Sequence, residues 1–259
     1  LGLEATVLTF SSHQKAELRR FGIIGYPLSH SFSPGYFAAM FQREGVTDCV
    51  YESWSIPILD DITRLIEDPT VKGFNVTIPY KTKIMSYLND ISPEASEIGA
   101  VNTVTVNDGK LMGYNTDSPA FERTLLETAS GFLDGALILG TGGASLAVSY
   151  TLKKLGVPFV YVSRRPAEKM LSYEEIYAWI LNRFPLIINC TPVGMYPETD
   201  HAPKLPYSML TERNFLYDLV YNPAETKFLA QGKLYGSGIK NGLSMLHYQA
   251  SLAWQIWNT

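Results

Sequence analysis

The stretch Ala136-Leu-Ile-Leu-Gly-Thr-Gly-Gly-Ala144 constrains the fold more than any other in this chain. Four apolar residues in a row read as a buried strand. The run breaks at Gly140, and a helical pattern follows from Ala144 to about Leu155, closed by Gly156. Gly140-x-Gly142-x-x-Ser145 is therefore a glycine turn between a strand and a helix, the context in which this spacing has meaning. Gly140 permits the tight turn, and Gly142 permits close approach of a pyrophosphate. The helix N-terminus at Ala144, preceded by Thr141, Gly142 and Gly143, offers N–H donors to such a group. Ser145 replaces the third glycine of the general fingerprint. An ordinary strand–helix turn is the competing explanation.

Further strand-like runs at Phe159–Ser163, Leu186–Cys190 and Phe215–Val220 extend this into a nucleotide-binding α/β pattern. A site for NAD usually has an acidic residue at the end of the second strand, for the ribose hydroxyls. Here that strand ends Ser163-Arg164-Arg165-Pro166. Two guanidinium groups stand where a carboxylate is expected, and arginine forms bidentate bonds with phosphate. The dinucleotide this favours is NADP, whose extra group is a 2′-phosphate. A solvated basic loop would explain the same residues.

A first series of elements precedes the glycine turn. Phe21–Gly25 is a short apolar strand. Ser33-Pro34 starts a helix, with serine as cap and proline at the first position, running to about Glu44-Gly45. Tyr51–Ile56 alternates like a strand, Ile58–Ile66 has helical spacing, and Lys72–Ile78 is the next strand. Alternating helix and strand favour an α/β layer architecture with parallel pairs. The boundary between the two series falls near Asp117 to Gly135. The end of the chain, Leu243–Trp257, is helical, with Met245, Leu252 and Ile256 on one apolar stripe, Gln249 on that stripe and His247 off it.

Asn75-Val-Thr-Ile-Pro-Tyr-Lys81 reads as the end of a half-buried strand, followed by a proline suited to the first position of a helix. That places Lys81 in the first helical turn, where the helix dipole disfavours a cation and so favours release of its proton. A surface lysine at a strand–helix junction is the plain alternative. Ser31 and Ser33 put two hydroxyls beside a helix N-terminus, a neutral but strongly donating site for a carboxylate. The neighbouring His30 has no matching partners and reads as structural.

A net charge of −4 gives no electrostatic support to general nucleic-acid binding. No apolar run reaches the length of a membrane span. The first twenty residues lack a basic start followed by an apolar stretch and have no functional reading. The two cysteines, Cys49 and Cys190, cannot form a disulfide framework, and a reducing cytosol is the simplest setting.

Eight short motifs in order carry a resemblance. They are Gly25-Tyr-Pro-Leu-Ser-His-Ser31-Phe-Ser33-Pro34, Asn75 to Lys81, Gly99-Ala-Val-Asn102-Thr-Val, Gly113-Tyr-Asn-Thr-Asp117, Gly140 to Ser145, Asn189-Cys-Thr-Pro192, Tyr217-Asp-Leu-Val-Tyr221 and Gly242-Leu-Ser-Met-Leu, with Gln249 beyond them. Over roughly residues 21 to 259 the chain resembles the shikimate dehydrogenase family. The resemblance implies an α/β substrate-binding domain (21–117 with 238–259 returning to it), a Rossmann-type dinucleotide-binding domain (118–237), and an active-site cleft between them. It implies reversible NADPH-dependent reduction of 3-dehydroshikimate to shikimate in aromatic amino-acid biosynthesis, without a metal. Lys81 and Asp117 would be the catalytic pair. Ser31 and Ser33, with Tyr221, would hold the substrate carboxylate. Thr77, Asn102, Asp117 and Gln249 would hold ring hydroxyls. Thr191, Leu219 and Gly242 would join the glycine turn, Ser163, Arg164 and Arg165 around the cofactor. A carboxylate beside Lys81 would hold its proton, against the dipole, and the sequence leaves the balance open. A cytoplasmic monomer or homodimer is implied, with neither nucleic acid nor membrane as partner. The alternatives are a quinate/shikimate dehydrogenase using NAD, a non-catalytic sensor retaining the fold, and a folate-type dehydrogenase, for which the serine pair has no obvious use.

Overall fold

The structure is a computed structural model and describes residues 17–28 and 31–259. Most of the unassigned N-terminal segment, and His30, lie outside the described residues. The first sheet contains β1 (Arg19–Gly25), β2 (Cys49–Ser55), β3 (Val71–Val76), β4 (Asp90–Ile91), β5 (Thr103–Asn107) and β6 (Lys110–Tyr114), in the order β2-β1-β3-β5-β6-β4. β1 begins two residues before the expected start at Phe21, because the Arg19 and Arg20 N–H groups donate to the Asp48 and Thr70 carbonyls.

The parallel pairing expected from alternation applies only to β1 with its two neighbours and to β4 with β6. β5 runs antiparallel to both β3 and β6. The β5–β6 pairing is set by a tight hairpin at Asp108-Gly109, where both residues have positive φ (50° and 73°), the backbone that a two-residue hairpin turn demands. Helices α1 (Ser33–Glu44), α2 (Thr63–Ile66, extending a short 3₁₀ turn at Leu59–Ile62) and α3 (Pro93–Ile98) complete this part. Gly45, at φ 67°, closes α1 through a left-handed cap.

The second sheet is wholly parallel. It contains β7 (Ala136–Leu139), β8 (Phe159–Val162), β9 (Leu186–Asn189), β10 (Phe215–Asp218) and β11 (Gly238–Lys240), in the order β11-β10-β9-β7-β8. Its first and third strands, β7 and β9, are neighbours, so the chain winds outward in both directions from the gap between them. Ligands of open α/β sheets bind at such a switch point, beyond the carboxyl ends of the strands. Around the sheet lie α4 (Asp117–Ala129), α5 (Gly143–Lys154), α6 (Ala178–Arg183) and α7 (Lys227–Leu234). The domain boundary expected at Gly238 falls inside this sheet, because β11 pairs with β10 as its edge strand.

The last helix, α8 (Leu243–Trp257), lies against α4 and also reaches the first sheet. Trp257 Nε1 donates to the Val104 carbonyl at 3.0 Å, and its ring stacks on Phe21 at 4.9 Å. The buried stripe of α8 is Met245, Gln249, Ala250, Ala253 and Trp257 rather than one through Leu252 and Ile256, which are only partly buried. The small Ala250 and Ala253 let the helix approach an aromatic cluster of Phe21, Phe37, Phe41 and Trp257. Among the described residues, no helix is long and apolar enough to cross a membrane.

Candidate active site

Lys81 does not stand in a helix. The chain leaves β3 at Val76, and the Thr77 N–H donates to the Ile24 carbonyl. A turn closed by the Tyr80 N–H donating to the Thr77 carbonyl follows, across a cis Ile78–Pro79 peptide, and only Lys83–Tyr87 forms a 3₁₀ helix. Tyr80 is buried, with its phenol donating to the Ile56 carbonyl at 2.5 Å, and it holds the turn down. The helix expected at Pro79 is thus replaced by a turn, and its dipole is absent at Lys81. A dipole acts instead on Asp117, the first residue of the 13-residue α4, where an anion is favoured.

Lys81 Nζ donates to Asp117 Oδ2 at 2.6 Å. The side chains are 15% and 8% exposed, so the pair is sheltered but open on one side. Asn102 Nδ2 donates to Asp117 Oδ1 at 2.9 Å, to Thr116 Oγ1 at 2.9 Å and, at the limit of range, to Gln249 Oε1 at 3.5 Å. The Thr116 N–H donates to Asn102 Oδ1 at 2.7 Å, which fixes the direction of the amide. Gln249 also receives a bond from the Thr116 hydroxyl and donates from Nε2 to the Leu246 carbonyl. Asn102 therefore bonds Asp117 directly, and Gln249 reaches the same cluster through Asn102 and Thr116.

A polar line continues from Asn102 to the serine pair. Asn75 Nδ2 donates to the Asn102 carbonyl and to Thr103 Oγ1, and Asn75 Oδ1 accepts from the Tyr51 phenol at 2.7 Å. Burial pushes the Tyr51 phenol well above its usual range, and a hydrogen bond with Ser33 opposes this. Ser33 is not the cap of α1 as expected. Phe32 occupies the N-cap position, and Ser33 is the first helical residue, buried. Ser31 lies half-buried two residues before it, and Thr77 is half-buried against Gly25. The Phe32 ring packs edge-on against Tyr221 at 5.7 Å, and the Phe32 N–H bonds the Tyr221 phenol, which burial raises above its usual value. This contact brings the loop after β10 to the serine pair.

On the dinucleotide side, Gly140 has φ 100°, and a Cβ there would lie 2.8 Å from Thr191 Cγ2. Gly140 and Thr191 thus meet at the ends of β7 and β9, the switch point. Gly142, the N-cap of α5, faces open space, with nothing within 4 Å of a built Cβ. Gly143 backs onto the Lys81 stem, where a Cβ would come within 2.9 Å of Lys81 Cβ. Thr141 is exposed and Ala144 half-buried beside them. Ser145 is fully buried and donates to the Gly142 carbonyl at 2.7 Å, so a small residue serves where the general fingerprint has glycine. Ser163 Oγ accepts from the Arg165 N–H. Arg164 and Arg165 are exposed and in no ion pair among the described residues. Gly242 is held where any side chain would overlap the Leu219 carbonyl. A glycine cradle, free helix N–H groups and unpaired arginines fit a dinucleotide carrying an extra phosphate.

The residues missed in the sequence are Tyr51, Asn75, Thr103 and Thr116. Asn75 and Thr116 sit inside the motifs quoted above, Asn75 as a polar residue between the apolar Phe74 and Val76 and Thr116 beside Asp117, which was the available signal. Tyr51 and Thr103 give none, because tyrosine and threonine are ordinary strand residues.

Comparison with known proteins supports the same assignment. Residues 23–104 match the model of the shikimate dehydrogenase substrate binding domain. The shikimate dehydrogenase (NADP(+)) of Desulforamulus reducens is 36% identical, over 91% of this chain and 88% of that protein. The crystal structure of shikimate 5-dehydrogenase from Thermus thermophilus, in complex with NADP(H) and shikimate, superposes with a TM-score of 0.80 at 33% identity, covering 93% of each chain. Quinate dehydrogenase from Corynebacterium glutamicum, in complex with NAD, superposes at 0.81 with 25% identity, over 93% of this chain and 94% of that one. The chain belongs to the shikimate dehydrogenase family.

Proposed function

We propose that this protein is an NADP-dependent shikimate dehydrogenase, interconverting shikimate and 3-dehydroshikimate. The observation that carries the reading is the Lys81–Asp117 pair, braced by Asn102 and set against Gly143 of the glycine turn. A hydroxyl to be oxidised loses a hydride from carbon and a proton from oxygen, and the nicotinamide of a bound dinucleotide supplies the acceptor for the hydride. The proton is the protein's task. Lys81 Nζ holds or passes it, and Asp117 orients the amine and takes a hydrogen bond from the substrate. The Asn102 amide has two hydrogens and three oxygens in reach, so one of its contacts gives way to a ring hydroxyl.

Ser31, Ser33 and the Tyr221 phenol receive the substrate carboxylate at the other end, with Thr77 and Gln249 between. Gly140 to Ala144 cradle the pyrophosphate, and Ser163, Arg164 and Arg165 take the 2′-phosphate. Thr191, Leu219 and Gly242 line the nicotinamide side. In this division, residues from β1 to the start of α4, together with α8, form the substrate unit, and the sheet from β7 to β11 with its helices forms the dinucleotide unit. A cytosolic setting belongs to the same reading and suits the two free cysteines.

The serine pair and the two arginines favour shikimate with NADP over quinate with NAD. The test is hydride transfer measured by nicotinamide absorbance, with shikimate and quinate each paired with NADP⁺ and NAD⁺. Highest kcat/KM for shikimate with NADP⁺ is expected. Preference for quinate with NAD⁺ would replace this reading with the alternative, and no turnover of either substrate would leave the sensor reading.

A further inference from the structure

Asp218 ends β10 and is completely buried, yet it has no role in the site as described. Its Oδ1 accepts from the Val220 N–H at 3.0 Å and from Asn189 Nδ2 at 2.9 Å, and its Oδ2 accepts from the Thr226 hydroxyl at 2.6 Å. Each donor belongs to a segment that matters. Val220 precedes Tyr221, and the Gly242 N–H donates to its carbonyl at 3.1 Å. The Leu219 N–H donates to the Asn189 carbonyl at 3.0 Å. Asn189 Oδ1 in turn accepts from the N–H and the hydroxyl of Thr191, at 3.1 and 2.6 Å. Thr226 caps α7. One buried carboxylate thus joins the turn bearing Thr191 to the segment bearing Leu219 and Tyr221.

Among the described residues, no countercharge faces Asp218. The titratable groups facing Asp218 are the Cys190 thiol and the Tyr207 phenol, both pushed up chiefly by burial and further by the Asp218 charge, so both are neutral. Lys227 and Lys233 of α7 pair elsewhere, with Asp200 and Glu225. Burial raises Asp218 to about 6, against the lowering effect of its three hydrogen bonds. Its folded-state value thus lies above the unfolded one, so the ionised group costs stability once the pH rises past that value. An amide would fill the same space at lower cost. What only the carboxylate offers is charge on the oxygen that receives both the Val220 N–H and Asn189 Nδ2, together with a second acceptor for the Thr226 hydroxyl. Asn189 must then turn Nδ2 inward and present Oδ1 to Thr191.

We propose that Asp218 is a positioning residue that, as a carboxylate, sets Thr191 and Leu219 for the dinucleotide and Tyr221 for the substrate from behind. This rests on the functional reading given above. Asp218→Asn keeps the shape, leaves a neutral carbonyl facing the Val220 N–H and Asn189 Nδ2, and puts its N–H₂ against the Thr226 hydroxyl, so the bond that fixes Asn189, and through it Thr191, loses its charge assistance.

In the full-length chain at pH 8, the variant should melt at a higher temperature than the wild type and bind NADP⁺ about tenfold more weakly by calorimetry, the difference between a charge-assisted and a neutral hydrogen bond. Opposite signs are the signature. Unchanged NADP⁺ affinity overturns the proposal, and so does a joint loss of stability and binding, which would mark the carboxylate as merely structural. Should the variant fail to fold, the wild type decides, with NAD⁺ as the probe because it has no 2′-phosphate to titrate. Its affinity should fall about threefold between pH 7.5 and 5.5, as the carboxylate protonates, and a flat response overturns the proposal. A wild type that binds neither dinucleotide at pH 8 defeats the functional reading itself, and this proposal with it.

Discussion

Gly142→Ala separates what the glycine turn does for the fold from what it does for a ligand. Gly142 has φ −85° and ψ −179°, backbone that alanine adopts freely, and a Cβ there meets nothing within 4 Å. Two small effects oppose each other. Alanine restricts the unfolded chain, a gain of about 0.4–1 kcal/mol, and it is a poorer N-cap than glycine by a similar amount. The net change in stability should stay within about 1 kcal/mol, or a few degrees in Tm. The ligand feels the methyl fully, because it occupies the space through which a pyrophosphate reaches the Gly143 and Ala144 N–H groups. Loss of one such charge-assisted bond, about 1.5–3 kcal/mol, weakens NADP⁺ about ten- to a hundredfold.

Gly140→Ala supplies the contrast, since φ 100° and a 2.8 Å approach to Thr191 Cγ2 make it destabilising without any ligand, by about 1–3 kcal/mol. Thermal melts and calorimetric titration of both variants read the two quantities separately. Gly142→Ala binding NADP⁺ as tightly as the wild type would refute the placement of the pyrophosphate.

Replacing Ser31 and Ser33 together by alanine should raise the KM for shikimate at least tenfold, with a smaller effect on kcat, and normal binding would remove the carboxylate site. Neither serine caps α1, so no capping energy is lost and thermal melting should detect only the removal of the buried Ser33 hydroxyl. Changing Arg164 and Arg165 to glutamine should raise the KM for NADP⁺ about tenfold at low salt and leave that for NAD⁺ nearly unchanged. The wild-type preference should shrink with added salt because both arginines are exposed, and an unaltered preference in the double variant would reduce them to a solvated loop.

The parts of the molecule that were legible in the sequence are those where one local pattern decides the outcome. The apolar run Ala136–Leu139 and the glycines after it specify β7, its turn and α5 without help from the rest of the chain. Asn102, Asp117 and Lys81 were marked by motifs, although their meeting is a product of tertiary packing. Lys81 shows where local reasoning fails. Proline at position 79 suits a helix start equally well as a turn, and the choice falls to Tyr80 and Ile84, whose burial is a long-range matter. The β5–β6 hairpin was open to reading from Asp108-Gly109 between alternating residues, and the expectation of parallel alternation passed over it. Asp218 carried a weaker sign, a carboxylate closing an apolar strand, but its partners Asn189 and Thr226 lie 29 and 8 residues away.

The central claim is that Lys81 handles the substrate proton, and Lys81→Met tests it most directly. Methionine keeps the length of the stem against Gly143 and removes the amine. Pre-steady-state and steady-state rates of NADP⁺ reduction should be measured alongside the equilibrium Kd for shikimate. The account predicts a kcat lowered about 10²–10⁴-fold, with Kd changed far less. A variant with near wild-type kcat and only weakened shikimate binding would contradict it.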